Sequence, residues 1–304
     1  MKKKIAICGA DGMLGSMVLD YFARSKNYQV TATLREKSGL RLLKSEYPTV
    51  KWEILDATAS AADFTKLLEG NAWIINCIGI IKPYIHDDNP IETEMALKIN
   101  SLFPYRLAQA ALKIKARVIQ IETDCVFSGK RGKYRENDLH DALDVYGKTK
   151  SLGEVYFNNV YHLRCSIVGP EKKSHRSLLD WFLSQNRGAK IQGFINHSWN
   201  GITTLHFAKI CEGIIKKDIR INHLQHIVPV DSLSKGKLLG IFKKAFGRQD
   251  ISIKMVKASE EINRTLETNN ITLNKKIWRS AGYAKVPSIE AIVKELAVYV
   301  EGKK

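Results

Sequence analysis

Short apolar runs alternate with stretches of helical periodicity through the first half of the chain. Lys4–Cys8, Tyr28–Leu34, Val50–Leu55, Ala72–Cys77, Arg117–Glu122 and Tyr161–Val168 read as strands. Between them, Met13–Arg24, Leu40–Ser45, Ala61–Leu68, Glu92–Leu112 and Val145–Phe157 read as helices. A polar loop runs from the fifth strand to about Asp144. Strands separated by helices form right-handed βαβ crossovers, which build a parallel sheet covered on both faces. Unbroken apolar runs such as Trp73-Ile74-Ile75 suit strands buried on both sides. After Gly169-Pro170 the pattern loosens. Helices are expected at Ser177–Gln185, Leu205–Lys217, Ser234–Phe246 and Ser288–Tyr299, with short strands near 226–230 and 251–256. The expected organisation is a doubly wound α/β domain over residues 1–168 and a smaller lobe over 169–304, with the helix near 204–217 packing back on the first domain.

Composition adds exclusions. The chain has 304 residues, 44% hydrophobic and 26% charged, within the ordinary globular range. Five cysteines, none two residues from another, argue against a disulfide framework or a CxxC site and fit a cytoplasmic protein. No apolar run reaches the ~18 residues that cross a bilayer, so no membrane partner is expected. The short apolar stretch after Lys2-Lys3-Lys4 is broken by Asp11 and does not read as an export signal. The formal charge is +17, heavier in residues 151–304. Its Lys and Arg are scattered through 172–176, 216–220, 235–248 and 275–279 without interleaved stacking aromatics. This reads as a solvated basic surface suited to an anionic small molecule, not as a nucleic-acid interface.

Gly9-Ala10-Asp11-Gly12-Met13-Leu14-Gly15 joins the first strand to the first helix. Gly9 permits the tight turn, Gly12 lets backbone N–H groups approach a pyrophosphate, and Gly15 lets helix and sheet pack closely. The anion would rest on the helix N-terminus. No acid closes the second strand, where one would hold the ribose of NAD; Arg35 stands there, with Lys37 and Arg41 nearby. A guanidinium suits a 2′-phosphate, so NADPH is the expected cofactor, with NADH as the alternative. Asp56, closing the third strand, is placed either at the adenine amine or as a loop cap.

Tyr146 and Lys150 are four apart in the helix before the sixth strand, and Thr123 closes the fifth strand. An ammonium beside a phenol lowers its pKa from about 10. The tyrosine can then exchange a proton with a carbonyl oxygen to which Thr123 also donates. His223-x-x-His226 lacks a third ligand at suitable spacing, and no metal is expected. Arg176, Arg187 and Lys190 could hold a diphosphate, or could be plain surface.

These motifs resemble the extended short-chain dehydrogenase/reductases, and within them the dTDP-4-dehydrorhamnose reductase family. The resemblance rests on the glycine loop, Thr123-Asp124-Cys125-Val126-Phe127-Ser128-Gly129 and Tyr146-Gly147-Lys148-Thr149-Lys150. Asn76-Cys77-Ile78-Gly79, Asn100 and Leu163-Arg164-Cys165-Ser166-Ile167-Val168-Gly169 extend it; residues 170–304 match loosely. It implies a Rossmann fold with a C-terminal substrate-binding lobe. It implies Tyr146 as general acid, Lys150 as ribose anchor and pKa modulator, and Thr123 as carbonyl orienter. Asn100 would support a water chain to Lys150, and Cys77 and Gly79 would lie against the cofactor. Thr123, Asp124, Cys125 and Trp199 would face the substrate. The family usually has Ser-Thr-Asp-Tyr where this chain has Glu122-Thr123-Asp124-Cys125, which leaves the sugar open. Related dehydratases carry Thr-Asp-Glu, so Cys125 disfavours elimination. The implied reaction is NADPH-dependent reduction of the C4 ketone of a nucleotide-linked 4-keto-6-deoxyhexose in cell-surface polysaccharide biosynthesis. The alternatives are a reductase or epimerase of an N-acetylated UDP-4-keto sugar, and a non-catalytic Rossmann regulatory subunit. A homodimer is the expected assembly.

Overall fold

The computed structural model describes residues 2–171 and 176–302. The remainder of the basic stretch 172–176, apart from Arg176, lies outside the described residues. Six strands of the first half are β1 (Lys3–Cys8), β2 (Tyr28–Leu34), β3 (Lys51–Ile54), β4 (Trp73–Asn76), β5 (Arg117–Glu122) and β6 (Val160–Arg164). The helices between them are α1 (Met13–Ala23), α2 (Leu40–Glu46), α3 (Ala61–Leu68), α4 (Pro90–Ala96), α5 (Phe103–Lys113) and α6 (Val145–Leu152). All six strands are parallel, in the order β3-β2-β1-β4-β5-β6, and Leu224–His226 adds a seventh beside β6. The order reverses between β1 and β4, the switch point at which the C-terminal strand ends of such sheets leave a crevice.

Apolar strands dictate this burial. Ile5, Ile7 and Ile75 are fully buried on one face with Val18, Phe22, Phe207 and Ile214, while Ala6, Ile74, Phe64 and Phe103 fill the other. The helix Thr204–Lys217 packs against α1, and its Phe207, Ile210, Cys211 and Ile214 enter the sheet core. The chain therefore returns to the main sheet twice after residue 169.

Several elements differ from the reading of the sequence. The helix expected over Glu92–Leu112 is three pieces: α4, a π-helical turn over Leu97–Leu102, and α5. A widened turn of this kind inserts a residue into the ladder and is invisible to a 3.6-residue period. α6 ends at Leu152 because the chain turns at Gly153, where a Cβ would lie 2.0 Å from the Asn100 carbonyl oxygen. The strand expected over Tyr161–Val168 breaks after Arg164; Ile167–Val168 pairs with Ile202–Thr203 in a separate two-stranded sheet. The sequence pattern did not single out the helix Ile271–Ser280 or the strands Lys190–Phe194 and His197–Trp199; Leu273, Ile277 and Trp278 of that helix pack into the main core. The strands are placed by tertiary pairing, Lys190–Phe194 with Ser252–Val256 and His197–Trp199 with Leu233–Ser234.

Replacing Ile214 by Ala removes a fully buried side chain from the seam between the helix Thr204–Lys217 and α1. It is expected to cost about 2–5 kcal/mol of stability, read as a lower midpoint in denaturant with an unchanged slope.

Candidate active site

At the switch point, the turn after β1 is built for close approach. Gly9 has φ +78°, a left-handed conformation that an L side chain rarely adopts. A Cβ on Gly15 would lie 1.9 Å from the Gly9 carbonyl oxygen, so only glycine lets α1 start against the turn. The turn is pinned to β2, with Ala10 N–H donating to Thr33 O at 2.9 Å and Gly9 N–H to Thr33 Oγ1 at 3.2 Å. Gly12 is the N-cap of α1 with no side-chain cap, and no acid lies in the first helical turn. The first N–H groups of α1, from Met13 and Leu14 onward, therefore suit an anion. Asp11 is half-buried beside Gly12.

Arg35 and Asp56 lie at the ends of neighbouring strands. Arg35 is exposed and paired with Glu36 at 2.9 Å. Asp56 Oδ1 accepts from the N–H and hydroxyl of Thr58, both at 2.8 Å, which hold its carboxyl below the usual carboxylate range. Asp56 therefore caps its own loop. Past β4, Cys77 N–H donates to Cys8 O at 3.0 Å and Gly79 is exposed. Asn100 is buried, with Oδ1 accepting from Ile80 N–H at 2.8 Å and Nδ2 donating to Ile80 O and Thr149 Oγ1. Its side chain is thus committed to tying the loop after β4 to α6, rather than held out toward Lys150.

α6 carries the tyrosine and the lysine. Its N-cap is Asp144, which accepts from Gly147 N–H at 2.9 Å and pairs with Lys82 at 2.8 Å. A Cβ on Gly147 would lie 2.6 Å from the Cys125 carbonyl oxygen, so this glycine lets α6 approach the turn that follows β5. That approach brings Tyr146 near Thr123, whose hydroxyl acts to lower the phenol's pKa. Thr123 Oγ1 also accepts from Cys125 N–H at 3.1 Å.

The expected lowering of the Tyr146 pKa is not what the structure gives. Burial pushes the phenol up, and the Cys125 thiol and the charges of Asp124 and Glu122 push in the same direction; the Thr123 hydroxyl pulls against them. Burial is the largest cause, and Lys150 does not offset it. Its ammonium is buried and paired with Glu122 at 3.0 Å, and donates to Ile121 O at 3.2 Å. A carboxylate so close offsets the charge meant to favour phenolate. Glu122 is itself fully buried and contacts His162 Nδ1 at 2.9 Å. Burial would raise its pKa, but Lys150 and His162 outweigh burial and keep it below the usual range. Beside them, burial raises Asp124, with Arg264 acting in the opposite direction.

Sequence spacing gives Glu122 and Arg164 no electrostatic role and does not single out His162 or Arg264. An acid in a strand buried on both faces was the available signal, because a buried charge requires a partner. Arg264 gave no local signal; it comes from beyond the main sheet to donate to Phe127 O and Ser128 O, latching the loop after Thr123. Arg164 is fully buried, pairs with Glu154 and donates to His140 Nε2 and His226 Nε2, both at 2.9 Å. A guanidinium cannot accept, so both imidazoles present a lone pair to it. His226 Nδ1 then donates to Glu267 O at 2.7 Å and His140 Nδ1 to Ser151 Oγ at 2.6 Å.

Trp199, expected at the substrate, is a correction. Its ring is buried among Leu179, Phe182, Leu205 and Leu238, and Nε1–H donates to Ser166 Oγ at 2.8 Å. Packing and hydrogen bonding use the indole, so no broad face is left for stacking. Arg176 is exposed, stacks over Tyr84 at 4.4 Å and donates to Pro83 O, whereas Arg187 and Lys190 are exposed. Among the described residues, no cluster of His, Cys, Asp and Glu suits a metal ion, and no helix is long and apolar enough to cross a membrane.

A parallel sheet with a glycine turn at its switch point and a Thr, Tyr and Lys gathered at the end of β5 defines a Rossmann protein of the extended short-chain dehydrogenase/reductase type. Residues 3–181, more than half of the chain, match the family described as RmlD substrate binding domain, and the chain belongs to that family. It is 30% identical over 155 residues to methionine adenosyltransferase 2 subunit beta of Bos taurus, covering 50% of this chain and 42% of that protein. It is 31% identical over 127 residues to a dTDP-4-dehydrorhamnose reductase of Aggregatibacter actinomycetemcomitans, covering 38% and 42%. The chain thus spans less than half the length of these relatives. Its fold matches a dTDP-4-dehydrorhamnose reductase from Clostridium acetobutylicum with a TM-score of 0.74, at 20% identity and 98% and 99% coverage. It also matches one from Bacillus anthracis in complex with NADP, with a TM-score of 0.76 at 19% identity, covering 98% and 100%.

The buried His226 and the half-buried His140 and His223 predict acid sensitivity. Burial first, then Arg164 for His140 and His226 and His162 for His223, pushes each ring down to about 4. Their folded values lie below the unfolded value of about 6.5, so the unfolded chain takes up protons first. Stability from these rings is full above pH 6.5 and is lost as the pH falls toward 4. Thermal melts across that window are expected to show a falling midpoint; a flat midpoint would contradict neutral rings.

Proposed function

We propose that this chain is an NADPH-dependent reductase of the C4 ketone of a nucleotide-linked 4-keto-6-deoxyhexose. The observation that carries the reading is the convergence of Thr123, Tyr146 and Lys150 beside the turn that Gly9, Gly12 and Gly15 allow. The residues fit a dinucleotide: α1 opens without a cap or an acid, and β2 ends in Arg35 rather than a carboxylate. Met13 and Leu14 N–H groups would meet the pyrophosphate and Arg35 the 2′-phosphate, while Cys77, Gly79 and Asn100 border the same crevice. NADH is the alternative cofactor. When bound, the dinucleotide supplies a hydride.

The chain supplies the proton and the placement. Tyr146 carries its proton at Oη and gives it to the ketone oxygen, which becomes the hydroxyl. Thr123 orients that oxygen with its own hydroxyl. Lys150 holds the ribose and steadies the charge on Tyr146 after transfer. Asp124 and Cys125 border the sugar, and residues 169–304 form the lobe that takes the nucleotide. The excess of basic residues suits the substrate's diphosphate, and a homodimer is the proposed assembly.

Replacing Tyr146 by Phe keeps the ring and removes the proton. It is expected to lower kcat by ~10²–10⁴ while leaving NADPH binding near the wild-type value. Oxidation of NADPH with a panel of dTDP-, UDP- and GDP-linked 4-keto sugars is the decisive measurement, and unchanged turnover in Y146F would refute the mechanism. Arg35→Ala is expected to weaken NADPH binding roughly tenfold and leave NADH binding unchanged, as read by fluorescence titration.

A second reading is favoured by the pairing of Lys150 with Glu122 and by the likeness to methionine adenosyltransferase 2 subunit beta. In it the chain binds the dinucleotide as a regulatory subunit without turnover. NADPH binding with no oxidation against the whole sugar panel would select this reading.

A further inference from the structure

Of the buried charges beside the site, one sits where it alters the chemistry rather than only the packing. Glu122 closes β5 immediately before Thr123, and its Oε2 lies 3.0 Å from Lys150 Nζ, with both side chains almost wholly buried. The Ile121 carbonyl accepts an ammonium proton at 3.2 Å, so the lysine is held by a hydrogen bond as well as by the ion pair. From behind, Glu122 is held by His162, whose Nε2 bonds the Val155 carbonyl at 2.9 Å. The carboxylate therefore cannot swing away from the lysine without breaking a second contact.

We propose that Glu122 is a positioning residue for the reductive chemistry: it fixes Lys150 and offsets its charge, so that Tyr146 meets the ketone as a phenol carrying its proton. This rests on the reductase reading above. In the forward step, hydride adds to the carbonyl carbon and the Tyr146 proton to the oxygen; the reverse step needs Tyr146 as a phenolate. An ammonium whose field is partly cancelled by a neighbouring carboxylate stabilises phenolate less, which favours the first state of the tyrosine over the second. Glu122 thus biases the site toward reduction.

Other charged groups face this trio from each side. Asp124 and the Cys125 thiol lie against Tyr146 from the turn after β5, and both raise it. Arg264 and Lys235 act on Asp124 from the C-terminal lobe, and Lys82 acts on Cys125 from the loop after β4. Behind Glu122 stand His162 with His223 at 4.9 Å between ring centroids, and Glu154 paired with Arg164. Among these groups, Glu122 is the one that touches the lysine and can be neutralised without opening a cavity. A glutamine at 122 can accept from Lys150 with its oxygen and turn its NH₂ toward His162 Nδ1.

The test compares wild type with E122Q, E122S and E122D, each also carrying Y146F as a background. The near-ultraviolet absorbance of tyrosinate, with the Y146F background subtracted, reports the Tyr146 titration without requiring turnover. In E122Q this titration, and the alkaline fall of reductive kcat/KM, are expected about one pH unit or more below wild type. E122D, which keeps the charge, is expected to restore the wild-type profile. E122S removes the same charge and serves if the amide disturbs folding. Superimposable titrations in wild type and in E122Q and E122S would overturn the proposal, even where Y146F abolishes turnover and the reductase reading stands. A shifted titration without turnover on any ketosugar would show that Glu122 sets the Tyr146 titration but would sink the reductase reading, and with it the role in reduction.

Discussion

The site depends on an ion pair placed where water is scarce. Lys150 and Glu122 are both buried, and each would be costly alone. Together, and braced by His162 and the Ile121 carbonyl, they form a closed set. The set links α6, β5 and β6, the three elements that border the crevice beyond β4. Loss of either charge would leave its partner unmatched in a low-dielectric interior and move the neighbouring tyrosine as well.

Close backbone approach makes that placement attainable. Gly15 lets α1 seat on the turn after β1, and Gly147 lets α6 seat on the turn after β5. Helix starts and strand ends thereby meet along one edge of a parallel sheet. The π-helical turn at Leu97–Leu102 serves the same end, since it sets Asn100 between the loop after β4 and α6. A second polar assembly, centred on Arg164, supports the far side of β6. Its neutral histidines carry the acid sensitivity, whereas the lysine and carboxylate form the ion pair beside Tyr146.

Much of this was legible in the residues. β1 to β6 and their helices follow from alternating apolar runs, because a strand covered on both faces must be apolar almost throughout. The glycine turn and the Tyr146–Lys150 spacing are local facts, and local spacing survives folding. Asp56, Trp199 and the Tyr146 pKa were harder because each depends on non-local neighbours. For Trp199 a substrate contact and a packed loop position were both open, and the partner of its N–H, Ser166, lies 33 positions away. Of the short strands after residue 169, the one near 251–256 was legible, whereas His197–Trp199 and Leu233–Ser234 are too short for a period and exist because they pair with each other.

The sequence by itself determined the parallel sheet, the glycine turn and the spacing of Thr123, Tyr146 and Lys150, since these arise from periodicity and short-range order. Only the tertiary structure decided the electrical state of the site. A carboxylate reaching Lys150 across two elements, and an arginine brought from residue 264 to the loop after β5, are long-range placements. Burial and charge proximity, which set proton affinity, exist only once the chain has folded.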